Sequence, residues 1–466
     1  MTNQKNPSKT NSSLGTMLFK RKIYAQMLDW KEKSAGSTAL MIEGPRRVGK
    51  TTVVQEFASN EYKSCLFIDF ANCPEGVKEA FSHTYDLDWM FAALVALTDS
   101  KPLVERQSVV VFDEVQLFPK ARQAIKYLVK DGRYDFIETG SLISIHRNVK
   151  DILIPSEEEC LYMNPLDYEE FCWALGFDET YPLIKGFFEK RKPFNAGGSG
   201  DAIYREMLRR FRLYLLLGGM PQAIEAYLRS HNFEKVDQVK RDIIRLYQQD
   251  FNKLDASGLT SALFMSIPAQ LSSNRNRFSL TEGTENKSIS KNRASKIIQL
   301  MAESKVVDVA WRANDPNVGM SLTADLSAFK MYICDTGLFI TLAFWDKSFT
   351  ENLIYKKLLG GKLDVNLGYV YENAVAQMLV ASGNRLFFYT FKAPGNHIYE
   401  IDFLISKGAK ICPIEVKSGM QTRHKSMDEF CRKFSSRVGQ RYMIWEGDLA
   451  RDQELLAIPT FMTPFI

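Results

Sequence analysis

Gly44-Pro45-Arg46-Arg47-Val48-Gly49-Lys50-Thr51-Thr52 directly follows the apolar run Thr38-Ala39-Leu40-Met41-Ile42. A strand that runs into a glycine-rich turn and then a helix is the GxxxxGK[ST] pattern, the Walker A motif. Backbone N–H groups of such a loop converge on phosphates, and the helix N-terminus adds a partial positive charge. The loop from Gly44 to Thr52 is therefore expected to cradle the phosphates of ATP. Lys50 is expected to reach the β and γ phosphates, and the Thr51 hydroxyl to ligate Mg²⁺.

Two further stretches fit the same chemistry. Ser108-Val109-Val110-Val111-Phe112-Asp113-Glu114 is a continuous apolar strand that ends in two carboxylates. Such a run suits a parallel strand covered on both faces. Asp113 at its end is placed to hold Mg²⁺, as in a Walker B motif, and Glu114 to polarise the attacking water. Tyr134-Asp135-Phe136-Ile137-Glu138-Thr139-Gly140-Ser141 reads as a neighbouring strand. Thr139 or Ser141 is then placed to touch the γ-phosphate or the water.

The surrounding pattern alternates. Strands are expected near Ala39–Glu43, Cys65–Phe70, Val109–Asp113, Phe136–Thr139 and Cys160–Met163, with helices such as Thr51–Ala58 and Ala121–Lys130 between them. This argues for an α/β fold with a parallel sheet and the ligand beyond the carboxyl ends of its strands. A strand is expected between the Walker A and Walker B strands.

The 466 residues are enough for two to four domains, and 45% hydrophobic content is enough for real cores. With 60 basic and 55 acidic residues, the net charge of +5 permits a nucleic-acid partner without demanding one. Seven scattered cysteines without a CxxC pair suggest reduced thiols in a cytoplasmic protein. No stretch is apolar for long enough to span a bilayer. Residues 1–16 are polar, lack the apolar core of a signal peptide, and read as a disordered tail.

The domain reading is an ATPase core over 17–165, a helical lid region over 166–251, a winged-helix-like module over 252–350 and a C-terminal domain over 351–466. In the lid, Glu189–Gly200 reads as a mobile loop, and Gly218-Gly219-Met220-Pro221 breaks one helix and opens the next. In the third region a helix over Ser288–Ala302, with Lys291 and Arg293 at its start, precedes strands Val306–Trp311 and Lys330–Cys334. Helix followed by two strands is a winged-helix pattern, and such a helix can enter a major groove.

The last domain carries a second candidate site. Glu372 lies on a helix, Tyr369–Ala381; Asp402 lies on one strand, and Glu415 and Lys417 on the next. In a strand Glu415 and Lys417 share one face. Convergent carboxylates with a lysine two residues on form the D…ExK arrangement of metal-dependent nucleases. Glu372, Asp402 and Glu415 would hold Mg²⁺ beside a scissile phosphate, and Lys417 would position the water. The same set could also bind nucleic acid or protein without cutting.

These segments together resemble the bacterial and archaeal AAA+-related ATPases that carry a C-terminal module of unknown function. The shared segments include GPRRVGKTT, VVVFDEVQ, NPLDYEEF, LLGGMP, KMYICDTGL, GYVYENAVAQ, EIDFLI and PIEVKSG, and they span about Leu18 to Ile444. The family's C-terminal module is similar to the PD-(D/E)xK nuclease fold. The resemblance implies nucleotide binding at Lys50 and Thr51, hydrolysis supported by Asp113 and Glu114, and a nuclease-like site at Glu372, Asp402, Glu415 and Lys417. ATP is the expected partner, and DNA, a protein partner or a second copy of the chain are the further alternatives. One departure stands out. Many members carry a Gly-Arg pair before the NPLDYEEF-like segment, where this chain has Ile154-Pro155-Ser156-Glu157-Glu158. Arg147, Arg212 and Arg245 are then the alternatives for an arginine that senses the γ-phosphate.

Overall fold

A computed structural model describes residues 17–141, 155–195, 200–273, 278–280, 289–361, 368–392, 398–417 and 424–466. The expected tail over 1–16 and Arg147 lie outside the described residues, as does 196–199 of the expected mobile loop.

The first sheet has five strands: β1 (Ala39–Gly44), β2 (Ser64–Asp69), β3 (Ser108–Asp113), β4 (Asp135–Ser141) and β5 (Glu158–Tyr162). All pairings are parallel, in the order β2-β3-β4-β1-β5. β4 therefore separates the Walker A strand from the Walker B strand, as the sequence suggests. Side-chain alternation explains why both faces are covered. Leu40 and Ile42 of β1 pack with Val53, Val54 and Phe57 of the helix Lys50–Glu61. Ala39 and Met41 point the other way, into a core with Phe112, Phe136, Met90 and Leu94. β3 and β4 are buried along their whole length, which accounts for the unbroken apolar run of Val109–Phe112.

A set of helices follows. The helix Gly200–Leu217 ends at Gly218, whose φ is 75°, and a new helix starts with Pro221 at its first turn. The helix Phe233–Leu254 then runs 22 residues, about 33 Å. The Gly218–Gly219 turn admits no side chain at its second position: a Cβ on Gly219 would stand 2.1 Å from the Leu166 carbonyl oxygen.

The second sheet is mixed and has eight strands: β6 (Val307–Ala313), β7 (Ala324–Ile333), β8 (Phe387–Lys392), β9 (Ile398–Lys407), β10 (Lys410–Val416), β11 (Arg441–Trp445), β12 (Ala450–Asp452) and β13 (Leu455–Pro459). Their order is β12-β13-β11-β10-β9-β8-β6-β7. The hairpin expected as a wing is the edge of this sheet. The two strands read as a wing are β6 and β7, and β6 pairs in parallel with β8 at Trp311 and Arg312. The boundary drawn at 350/351 thus cuts through one sheet. The cause is apolar content: Ala310, Met331 and Ile333 are buried in one core with Phe388, Phe403 and Ile405.

Candidate functional site: the phosphate loop and the C-terminal carboxylates

The phosphate loop leaves β1 at Gly44. A Cβ there would lie 2.3 Å from the Met163 carbonyl oxygen, so only glycine fits. Arg47 and Gly49 take positive φ, 68° and 98°, and turn the chain into the helix Lys50–Glu61. No side chain caps that helix and its first turn holds no acidic residue. The first amides, at Lys50, Thr51 and Thr52, are thus left to an anion. Val48 is buried in the core below the loop.

The side chains converge as the motif requires. The Thr51 hydroxyl donates to Asp113 Oδ1 at 2.9 Å and Oδ2 at 3.1 Å. The Thr139 hydroxyl donates to Asp113 Oδ1 at 2.5 Å and accepts from the Glu114 amide at 3.2 Å. Of the two alternatives on β4, Thr139 is the one bonded to Asp113; Ser141 pairs in register with Gly44, at the loop's start. Glu114 sits at φ 54°, a conformation that a non-glycine residue keeps only where its surroundings impose it. Its carboxylate accepts from the Gln116 amide. Burial pushes the Asp113 carboxyl above the usual range, against the pull of the Thr139 and Thr51 hydroxyls. Lys50 Nζ donates to the carbonyls of Gly44 (3.1 Å) and Pro45 (2.9 Å). Burial pulls its pKa down to about 8, although Glu114 and Asp113 oppose this.

A desolvated ammonium beside uncapped amides fits a polyphosphate, and the Thr51 hydroxyl with the Asp113 carboxylate fits a hard cation. Next to the loop, a cleft of roughly 460 Å³ is lined by Arg47, Gln222, Glu225, Arg229, Asp242 and apolar residues of the two helices above it.

Sequence reading missed how this loop is tied to the rest of the chain. Arg46 Nη1 pairs with Asp250 at 3.0 and 3.1 Å, and the Tyr247 hydroxyl donates to the Arg46 carbonyl at 2.8 Å. Both partners lie on the helix Phe233–Leu254. Their spacing of three residues puts them on one helix face, which is legible; their target is not. Of the candidate sensing arginines, Arg212 pairs with Glu446 at 3.2 Å and Arg245 with Asp242 at 2.8 Å.

The C-terminal residues come together only in part. Glu372 lies on the helix Gly368–Ala381, Asp402 on β9 and Glu415 on β10. Asp402 Oδ2 accepts the Val416 amide at 2.7 Å, and Lys417 Nζ stands 3.0 Å from Glu415 Oε2. Burial, and then the charge of Glu372, push Asp402 up to about 8. Burial also raises Glu415, against Lys417. Three residues absent from the sequence reading complete the cluster. Lys330 of β7 reaches Glu372 at 3.2 Å and Glu400 at 2.5 Å, and the Tyr332 hydroxyl donates to Glu372 at 2.7 Å. Burial works against the Lys330 ammonium, yet Glu372, Glu400 and Asp402 hold its pKa well above the ordinary lysine value. Among the described residues, no group of three or more His, Cys, Asp or Glu side chains is placed to hold a metal ion. The three-carboxylate metal site expected at Glu372, Asp402 and Glu415 is thus not ready-made; Glu372 is bonded to Lys330 and Tyr332 instead.

On the solvated face of the helix Lys291–Ser304, Arg293 and Lys296 are exposed while Ile297, Ile298 and Met301 are buried. Among the described residues no helix is long and apolar enough to cross a membrane.

Comparison with known proteins agrees with this geometry at the N-terminal end. Residues 36–172 match the model of the AAA domain. Residues 208–348 and 367–461 match two domains of unknown function, DUF8612 and DUF4143. The second match bridges the helices and the β6–β7 hairpin, and the third starts at the Glu372 helix. No curated protein matches the chain. Among solved structures, the chain is similar to Cdc6p from Pyrobaculum aerophilum, at 12% identity over 77% of this chain and 97% of that one, with a TM-score of 0.25. It is also similar to a signal transduction ATPase with numerous domains from Pyrococcus horikoshii, which has a tetratricopeptide repeat sensor. That match has 10% identity over 81% of this chain and 51% of that one, and a TM-score of 0.29. Overlaps this loose say nothing about function. The AAA-domain match and the Walker geometry make the N-terminal region an AAA-type P-loop ATPase.

Proposed function

We propose that the chain is an ATP-driven switch, in which the nucleotide at Gly44–Thr52 sets the posture of the C-terminal module through the helix Phe233–Leu254. One observation carries this reading: the helix is anchored at both ends. Near its C-terminus, Tyr247 and Asp250 hold the backbone and side chain of Arg46 in the phosphate loop. About 9–20 Å away along the helix, Asp237, Lys240 and Arg241 hold the segment 341–355. A displacement of the loop is passed on by a stiff rod to groups that are themselves buried.

In this reading the loop amides and Lys50 bind the phosphates of ATP. Thr51 and Asp113 hold Mg²⁺, which when bound neutralises charge on the phosphates. Thr139 fixes the Asp113 carboxylate, and Glu114, oriented by Gln116, takes the proton of the attacking water. Ser141 backs the start of the loop, and Arg47 faces the cleft that takes the rest of the nucleotide. Lys50→Ala should abolish turnover. Asp250→Asn with Tyr247→Phe should keep turnover but lose the ATP-dependent protection of the C-terminal module from protease. Undiminished hydrolysis by the Lys50 variant sinks the ATPase part. Full protection in the double variant sinks the coupling.

A second reading keeps the C-terminal module as a metal-dependent, DNA-directed nuclease acting through Glu372, Asp402, Glu415 and Lys417. The Asp402–Glu415–Lys417 arrangement favours it, and the exposed Arg293 and Lys296 suit a phosphate backbone. Mg²⁺-dependent cleavage of DNA that Asp402→Ala removes is its test.

A further inference from the structure

Outside the phosphate loop, the most concentrated chemistry lies around Lys330. Its side chain is only 6% exposed, yet it is a cation on a strand whose neighbours are apolar. A buried lysine is expensive unless it is paired and hydrogen-bonded. Here it is paired twice, with Glu372 and Glu400, and its ammonium stands 5.6 Å from the centroid of the Phe388 ring. Tyr332, two residues on and on the same face of β7, adds a hydroxyl to Glu372. Three strands away in the sheet order, β9 contributes Glu400 and Asp402 on one face. The cluster is thus built by two strands and a helix, and a cation already stands in it.

A divalent ion such as Mg²⁺ needs carboxylate oxygens at about 2.0–2.1 Å. Glu372 and Glu400 each give one oxygen, Oε1, to the ammonium, and Glu400 Oε2 is buried beside it without a hydrogen-bond partner. An ion drawn to them would meet a fixed like charge within about one ionic diameter. Of the remaining pair, Asp402 gives Oδ2 to the Val416 amide, and Glu415, whose oxygens are buried without a hydrogen-bond partner, already has a second ammonium, Lys417, at 3.0 Å.

We propose that Lys330 is a built-in counter-cation of the C-terminal module, its ammonium standing between Glu372 and Glu400, beside the strand face that carries Asp402, in the place expected for a divalent ion, so that the module takes no divalent ion there. The module then works by binding rather than by metal-dependent cleavage. This stands whether or not ATP drives the module.

The test is Mn²⁺ titration of the full chain, followed by electron paramagnetic resonance, in an Asp113→Asn background that removes the metal of the phosphate loop. With Lys330 present, no Mn²⁺ should bind at the C-terminal cluster. Lys330→Met should gain one Mn²⁺ ion, and adding Glu372→Gln should lose it again. If Lys330→Met does not fold, Lys330→Gln with Glu400→Gln removes one charge of each sign and is read the same way. Two results overturn the proposal: one Mn²⁺ bound with Lys330 intact and lost in Asp402→Asn, or a folded Lys330 variant that gains none.

Discussion

Replacing Arg241 by methionine should cost the helix Phe233–Leu254 its anchor at the far end from the phosphate loop. The Arg241 side chain is 1% exposed and that of Asp237 is fully buried. The guanidinium donates to Asp237 at 2.7 Å, to the carbonyls of Lys347 and Phe344 at 2.8 and 3.0 Å, and to the Thr350 hydroxyl at 3.2 Å. The ring of Trp345 lies 4.6 Å from it. Asp237 also accepts from the Tyr355 hydroxyl at 2.7 Å and the Thr350 amide at 2.9 Å.

Arg241→Met fills the space but strands the Asp237 carboxylate and two carbonyls. Removing one partner of a buried pair costs about 3–5 kcal/mol. At about 2–4 °C per kcal/mol for a unit of 150–250 residues, the melting transition should fall by about 6–20 °C. Thermal unfolding of the full chain by circular dichroism reads this directly. Asp237→Asn with Arg241→Met should lose less than the two single losses added together, by about 0.5–3 kcal/mol. A drop of under about 2 °C for Arg241→Met, or strict additivity in the double variant, would refute the claim that this pair anchors the far end of the helix.

Three further outcomes follow from the same structure. Because burial holds Lys50 at about 8 and phosphates favour its charged form, ATP binding should take up a proton above pH 8 and none well below pH 7; calorimetry in buffers of different ionisation enthalpy checks this. Burial pushes Asp308 up to about 7, so the folded chain keeps a proton that the unfolded chain releases near pH 4. Its contribution to stability is therefore lost as pH rises from about 4 to about 7, and Asp308→Asn should flatten that slope in denaturant titrations. Gly44→Ala places a methyl 2.3 Å from the Met163 carbonyl oxygen, so it should remove ATP binding, measured with a fluorescent analogue, while the C-terminal sheet stays folded.

The parts that sequence reveals are those built from contiguous residues. Gly44–Thr52 and Val109–Glu114 each form one strand and its exit, so pattern and structure coincide. The second sheet is different. β6 and β7 look like an isolated hairpin, and only their burial against Phe388 and Phe403 makes them part of a larger sheet. The Lys330 cluster is hidden for the same reason. Its partners lie 42 and 70 residues along the chain, and no local period links a lysine on one strand to a glutamate three strands away. Glu400 is within reach of the sequence, since it shares a strand face with Asp402. Arg46 lies 204 residues from Asp250, so the tie between loop and helix is a property of the fold alone.

The most direct test of the switch is hydrogen exchange across residues 341–355, at the far end of the helix, measured with and without ATP while turnover is monitored. Slower exchange there when ATP is bound, lost in Asp250→Asn with Tyr247→Phe, is the result this account predicts. Identical exchange in the two states, in a chain that hydrolyses ATP, would contradict it.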